Sequence, residues 1–249
     1  MDRAEQPSKV ARADAARAQP RAGAGAPDGV IHATREPLRN VVARTPWLTI
    51  LIGWVLAYAL GAALALLVRG LGWWEGGAGW ERQALAAAQE TVNPALDAIM
   101  LTLPYAGTNY TLAPIIAVAA FFLYRRGWST VALHLLVLQA GSWSLNPALK
   151  FSFPRDRPTL FEARGQHAFP AFPSGHAIAV AAVLLGVAYM IDRTGHGKWA
   201  YWVVGAFFIL NSYSRIYLAV HWPTDVIAGA LIGLLWLGWT IRAFSTVHR

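Results

Sequence analysis

Residues 214 to 225 read Ser-Arg-Ile-Tyr-Leu-Ala-Val-His-Trp-Pro-Thr-Asp, placing Ser214, Arg215, His221 and Asp225 between two long apolar segments. A membrane chain usually fills such a connection with ordinary loop residues, whereas these side chains can do chemistry. Pro223 suits the first turn of a helix, where its missing N–H costs nothing. Asp225 then falls in that first turn, where the helix dipole favours a carboxylate. His221 precedes Asp225 by four residues, close enough to donate a hydrogen bond from one ring nitrogen. That bond would fix the tautomer and leave the other nitrogen free as a nucleophile or base.

Two earlier clusters carry matching chemistry. Lys150-Phe-Ser-Phe-Pro-Arg-Asp-Arg157-Pro158 begins at the end of an apolar run, and Lys150 is one of three lysines in the chain. Taken alone, these cations read as interfacial anchors; a bound anion is the alternative. Phe172-Pro173-Ser174-Gly175-His176 directly precedes another apolar run. Ser174 suits a helix cap, and Gly175 would let a ligand approach the backbone. The unpaired N–H groups of a helix start bind phosphate oxygens, with His176 beside them. The plain reading here is a capped helix with a surface histidine.

The elements that must position these clusters are membrane helices. The chain has 249 residues, 56% hydrophobic and 14% charged, with 12 Trp, against roughly 25% charged in soluble domains. No Cys is present, which excludes disulfides and thiolate metal sites. The net charge is +8; many of the basic residues sit in the N-terminal segment and others cluster in two polar loops, and no nucleic-acid motif accompanies them. Apolar runs predict an all-α polytopic membrane protein with six spans, near 46–68, 109–124, 129–149, 175–191, 199–213 and 224–241.

Residues 1–44, rich in Ala, Arg, Gly and Pro, read as a disordered basic cytoplasmic tail with a short surface helix near its end. They lack the apolar core of a signal peptide. Residues 45–249 form the membrane domain. Trp73, Trp74 and Trp80 suit the interface, and residues 80–90 suit an amphipathic helix lying there. Residues 94–104 are apolar but too short to span, and Asp97 reads as structural or capping. Six spans put both termini in the cytoplasm, together with Arg125, Arg126, Arg193, Lys198 and Arg242. The loop 150–173 and the stretch 214–223 then share the opposite, extracytoplasmic side.

Lys150 with six residues before Arg157-Pro158, then Pro173-Ser174-Gly175-His176, then Ser214-Arg215 with five before His221 and three before Asp225, resembles the type 2 phosphatidic acid phosphatase family. The resemblance covers about residues 45–245, and the three linked motifs are more specific than any one. It implies a metal-independent integral membrane lipid phosphatase with no cofactor. Carried over, His221 is the nucleophile and Asp225 orients it. His176 protonates the leaving oxygen and then activates water. Lys150, Arg157, Ser174, Gly175 and Arg215 bind the phosphoryl oxygens. General chemistry agrees: charge on three equatorial oxygens calls for fixed cations and N–H donors. Soluble vanadate-dependent haloperoxidases share the motif set, but six spans argue against that reading.

The implied substrates are polyprenyl diphosphate of the undecaprenyl type, phosphatidylglycerol phosphate or phosphatidic acid, met in the bilayer (the inner membrane in a bacterium). One rival is a phosphotransferase passing the phosphoryl group to another lipid or sugar. Another is a transporter or lipid-binding protein with a dead site, which would have no reason to keep a full nucleophile, acid and cation set. Glu162, Arg164 and His167 are possible headgroup contacts, with a solvated loop as the favoured alternative.

Overall fold

The computed structural model describes residues 31–33, 35–165, 169–245 and 247. All regular structure among them is helical: α1 Leu38–Arg44, α2 Trp47–Gly70, α3 Gly79–Glu90, α4 Pro94–Thr102, a tight turn Leu103–Gly107, α5 Asn109–Arg125, α6 Ser129–Ser152, α7 Gly175–His196, α8 Trp199–Tyr217 and α9 Pro223–Phe244. Helices therefore lie over each segment expected to span.

Three of these helices, α2, α7 and α9, are long and apolar enough to cross a membrane. A fourth unit forms if α4 with its turn is joined to α5 across a 50° bend. The apolar stretch 94–104 would then be the first limb of a bent unit. Asn93 accepts from the Leu96 N–H to start α4, and Thr108 accepts from the Thr111 N–H to start α5. By contrast, α6 and α8 turn polar residues inward. Gln139, Ser142 and Lys150 are buried on α6, and Asn211, Ser214 and Arg215 on α8. Their low apolarity has this cause.

The core lies between α2, α6, α7 and α9, around Leu138, Leu145, Leu149, Ile178, Ile232 and Trp236. A β-carbon on Gly229 would sit 2.5 Å from the Ser174 carbonyl, and one on Gly233 would sit 2.7 Å from the Ile178 carbonyl. The two helices meet nearly backbone to backbone there. The outer faces keep large apolar side chains in the open, among them Leu48, Leu51, Phe121 and Trp202, the last 82% exposed.

One boundary differs from the sequence reading. The packed unit begins at Ile31, not 45. Ile31 and Val41 are buried in the main core. The Ile31 N–H donates to the Arg193 carbonyl, and Arg35 N–H to that of Gly127. The short helix near the end of the expected tail is α1; residues 1–30 lie outside the described residues. The expected amphipathic helix is α3, and its inner face packs on the α8–α9 connection. Leu85 meets Ala219 and Trp222, and Gln89 donates to the Tyr217 carbonyl.

Candidate active site

The C-terminal ends of α6 and α8 and the N-terminal ends of α7 and α9 converge. Backbone bonds tie the connections together. Ser174 N–H donates to the Asp225 carbonyl, Ala171 N–H to that of Arg155, and Arg164 N–H to that of Leu218. The three sequence clusters therefore meet.

His221 is 3% exposed. Burial, then the charges of Arg157, Lys150 and Arg215, hold its ring well below the ordinary histidine range, with a hydrogen bond to the Ala171 backbone opposing. The ring is neutral at neutral pH, the form a nucleophile needs. His176, on the first turn of α7, lies within range of the charges of Arg215, Lys150 and Arg157 and close to His221.

Lys150 donates to the carbonyls of Pro170 and Ala171. Arg157 donates to the carbonyls of Phe169 and Val220. Burial lowers Arg157 to about 10, so it remains charged. The Nε of buried Arg215 has no hydrogen-bond partner. Among the described residues, no carboxylate lies within ion-pair distance of these three cations. Buried cations normally carry a counter-ion, so this cluster is built to receive one.

Ser174 precedes α7, but its side chain makes no capping bond; the hydroxyl is buried and unpartnered. The cap expected there is absent, which leaves the hydroxyl and the first N–H groups of α7 for an anion. A β-carbon on Gly175 would lie 2.6 Å from the Asn146 amide nitrogen. Glycine is therefore required by a neighbouring side chain, not only by a ligand's approach. Asn146, which the sequence reading did not single out, sits four residues before Lys150 with its amide oxygen unpartnered.

Asp225 faces His221, but its Oδ2 lies 3.5 Å from Nδ1, longer than a hydrogen bond. The carboxylate is held elsewhere: Oδ2 accepts from Trp222 N–H at 2.8 Å and Oδ1 from Arg155 at 2.7 Å. Arg155 was also missed, although it stands two residues before Arg157. Glu81, its other carboxylate partner, lies at the start of α3.

Arg164 fastens the loop to its neighbours. It donates to Asp97 at 2.5 Å and to the Tyr217 carbonyl, and stacks on the Tyr217 ring. Asp97 is thereby structural, as expected. Glu162 is exposed, and His167 lies outside the described residues.

Residues 131–249 match the family model described as the PAP2 superfamily. Phosphatidylglycerophosphatase B of Bacillus subtilis is 33% identical over 159 residues, 61% of this chain and 76% of the relative. An undecaprenyl-diphosphatase of Sulfolobus acidocaldarius is 29% identical over 143 residues, 55% of this chain and 66% of the relative. A crystal structure of a transmembrane PAP2-type phosphatidylglycerolphosphate phosphatase from Bacillus subtilis superposes with a TM-score of 0.64 at 27% identity, covering 78% of this chain and 96% of that one. With its three motifs gathered at one end of a helical bundle, the chain belongs to the PAP2 superfamily.

Proposed function

We propose that this chain is an integral membrane lipid phosphatase that hydrolyses a lipid diphosphate or monophosphate through a phosphohistidine at His221. The observation that carries the reading is the group of three cations, Lys150 and Arg215 buried and Arg157 half-buried, with no carboxylate partner among the described residues, around a neutral histidine. In the first step the His221 nitrogen turned away from Asp225 forms a bond to phosphorus. The bond from phosphorus to the leaving oxygen breaks, and His176 gives that oxygen a proton. In the second, His176 takes a proton from water as the water oxygen attacks phosphorus. The P–N bond breaks, its electron pair returns to His221, and phosphate leaves. Lys150, Arg157, Arg215, the Ser174 hydroxyl and the α7 N–H groups hold the equatorial oxygens throughout.

The substrates that fit are polyprenyl diphosphate, phosphatidylglycerol phosphate and phosphatidic acid. The relatives' names include a phosphatidylglycerophosphatase and an undecaprenyl-diphosphatase. Phosphate release from each purified lipid in detergent micelles tests the reading. It predicts turnover of at least one that survives chelator and is blocked by vanadate. Lipid conversion without free phosphate would assign a phosphotransferase, and no conversion would assign a dead site.

The topology that supports lipid access has six spans, both termini cytoplasmic and the site outside. Arg125, Arg126, Arg193 and Lys198 lie at the bundle end away from the site, in keeping with the positive-inside bias. The chain has no Cys, so an introduced thiol is a clean probe. Exposed Glu162→Cys should react with an impermeant reagent from outside, and exposed Lys198→Cys should not. The reverse pattern would put the reaction in the cytoplasm.

A further inference from the structure

Behind Asp225 lies a closed polar cluster that the phosphoryl-binding set does not include. Arg155 is 1% exposed and its five N–H donors meet five acceptors. Nε donates to the Trp74 carbonyl at 3.0 Å, and one Nη to Thr224 Oγ1 and Asp225 Oδ1, both at 2.7 Å. The other Nη donates to the Trp73 carbonyl at 2.6 Å and faces Glu81 Oε2 at 3.4 Å. With no donor left over, Arg155 cannot ligate a phosphate in this arrangement. Its guanidinium carbon lies over the rings of Trp74 and Trp222, 5.6 and 5.3 Å from their centres.

Glu81 is equally engaged. Oε1 accepts from the Thr224 N–H at 3.0 Å and its hydroxyl at 2.6 Å, and Oε2 accepts from the Ala78 N–H at 2.8 Å. Both the carboxylate and the first turn of α9 are thus fastened to the connection between α2 and α4. Ion-pair geometry encloses two carboxylates and one guanidinium, all with side chains 0% exposed. The cluster carries a net negative charge when all three groups are ionised. It faces a ring that becomes cationic when one nitrogen is phosphorylated and the other keeps its proton.

We infer that Arg155 and Glu81 are positioning residues for the reaction: they fix the orientation and the charge of Asp225 toward His221, so the interfacial segment 73–81 is part of the catalytic apparatus. The inference rests on the phosphatase reading above. It requires that both residues act on turnover through Asp225 while the cation cluster still binds its anion.

The test is a double-mutant cycle on the full chain, scored by kcat and by the inhibition constant of orthovanadate. Arg155→Gln should lower kcat about 10–100-fold, the scale on which outer hydrogen-bond partners of metal ligands act. Vanadate inhibition should stay within about threefold. In an Asp225→Asn background, the same change should have almost no further effect, because the route to His221 is already broken. Should Arg155→Gln fail to fold, the near-isosteric Glu81→Gln replaces it in the cycle, with a smaller loss, about fivefold or more, and the same non-additivity. Full additivity with Asp225→Asn, equal loss of kcat and vanadate affinity, or wild-type kcat in the folded variants would overturn the inference. Failure of the phosphatase reading is a different result: no phosphate released from any lipid by the wild-type protein.

Discussion

The basic residues around this site fall into two groups. Lys150, Arg157 and Arg215 have no carboxylate within ion-pair distance among the described residues, and Lys150 and Arg157 rest on backbone carbonyls. Arg155 and Arg164 are paired, the first with Asp225 and Glu81 and the second with Asp97. Four of the five lie between 150 and 164, so composition does not separate them. A buried charge destabilises a fold unless paired. The paired cations assemble the structure, and the unpaired ones hold unspent affinity for an anion.

The largest expected effect is at the nucleophile. His221→Ala should abolish turnover and acid-labile phosphoprotein, as read by rapid quench with labelled lipid. Phosphate release at more than about a thousandth of the wild-type rate would be too much for a site without its covalent nucleophile.

Next come the two groups themselves. Replacing Lys150, Arg157 or Arg215 with Met should cut kcat/KM by about 10²–10³ each, the size expected for loss of a charge-stabilising donor. Tm should be unchanged or raised for the Lys150 and Arg215 variants, because an unpaired buried charge disappears. Arg155→Met should do the opposite to stability and cost about 3–5 kcal/mol, since two carboxylates are left buried. Denaturant melts of the four variants would break the comparison if Arg155→Met proved as stable as Lys150→Met.

The pH dependence sharpens it further. His221 is held below its ordinary value by burial and then by Arg157, Lys150 and Arg215. The acid limb of kcat/KM set by His221 should therefore lie below pH ~6.5. Arg157→Met removes one depressing charge, so the limb should move to higher pH in its residual activity. The same group links pH to stability. Because its folded pKa is depressed, its contribution is full above ~6.5 and is lost as pH falls through the folded value. An acid limb that moved downward in Arg157→Met would contradict the electrostatics.

The smallest effects belong to the loop. Arg164→Met should cost about 1–3 kcal/mol by leaving Asp97 and the Tyr217 carbonyl short of a donor. Glu162→Ala, on an exposed residue, should stay within about 0.5 kcal/mol.

The motif residues were legible because histidine, aspartate and clustered cations between apolar runs have few other uses. The helices were legible from apolar run length. Arg155 was not legible: it sits in the same Arg-Asp-Arg run as Arg157, yet the two turn to different partners, which spacing in an irregular segment does not reveal. Glu81 was hidden because an acidic residue in a first turn reads as a cap, and it does accept from the Ala78 N–H. The start of the packed unit at Ile31 was hidden by Ala, Arg, Gly and Pro around the few apolar residues that pack. The lower apolarity of α6 and α8 was not legible, because both read as apolar runs of spanning length. Its cause is that Gln139, Ser142, Asn211 and Ser214 face the interior.

The central claim is that the unpaired cations are the phosphoryl site and the paired ones are not. The thermal shift produced by orthovanadate tests it without requiring turnover. At 100 times its dissociation constant, vanadate should stabilise the wild-type protein by about 2.7 kcal/mol, and Arg164→Met should show a similar rise in Tm. Lys150→Met, Arg157→Met and Arg215→Met should show little or none at the same concentration. A full shift retained in all three of these variants would contradict the account.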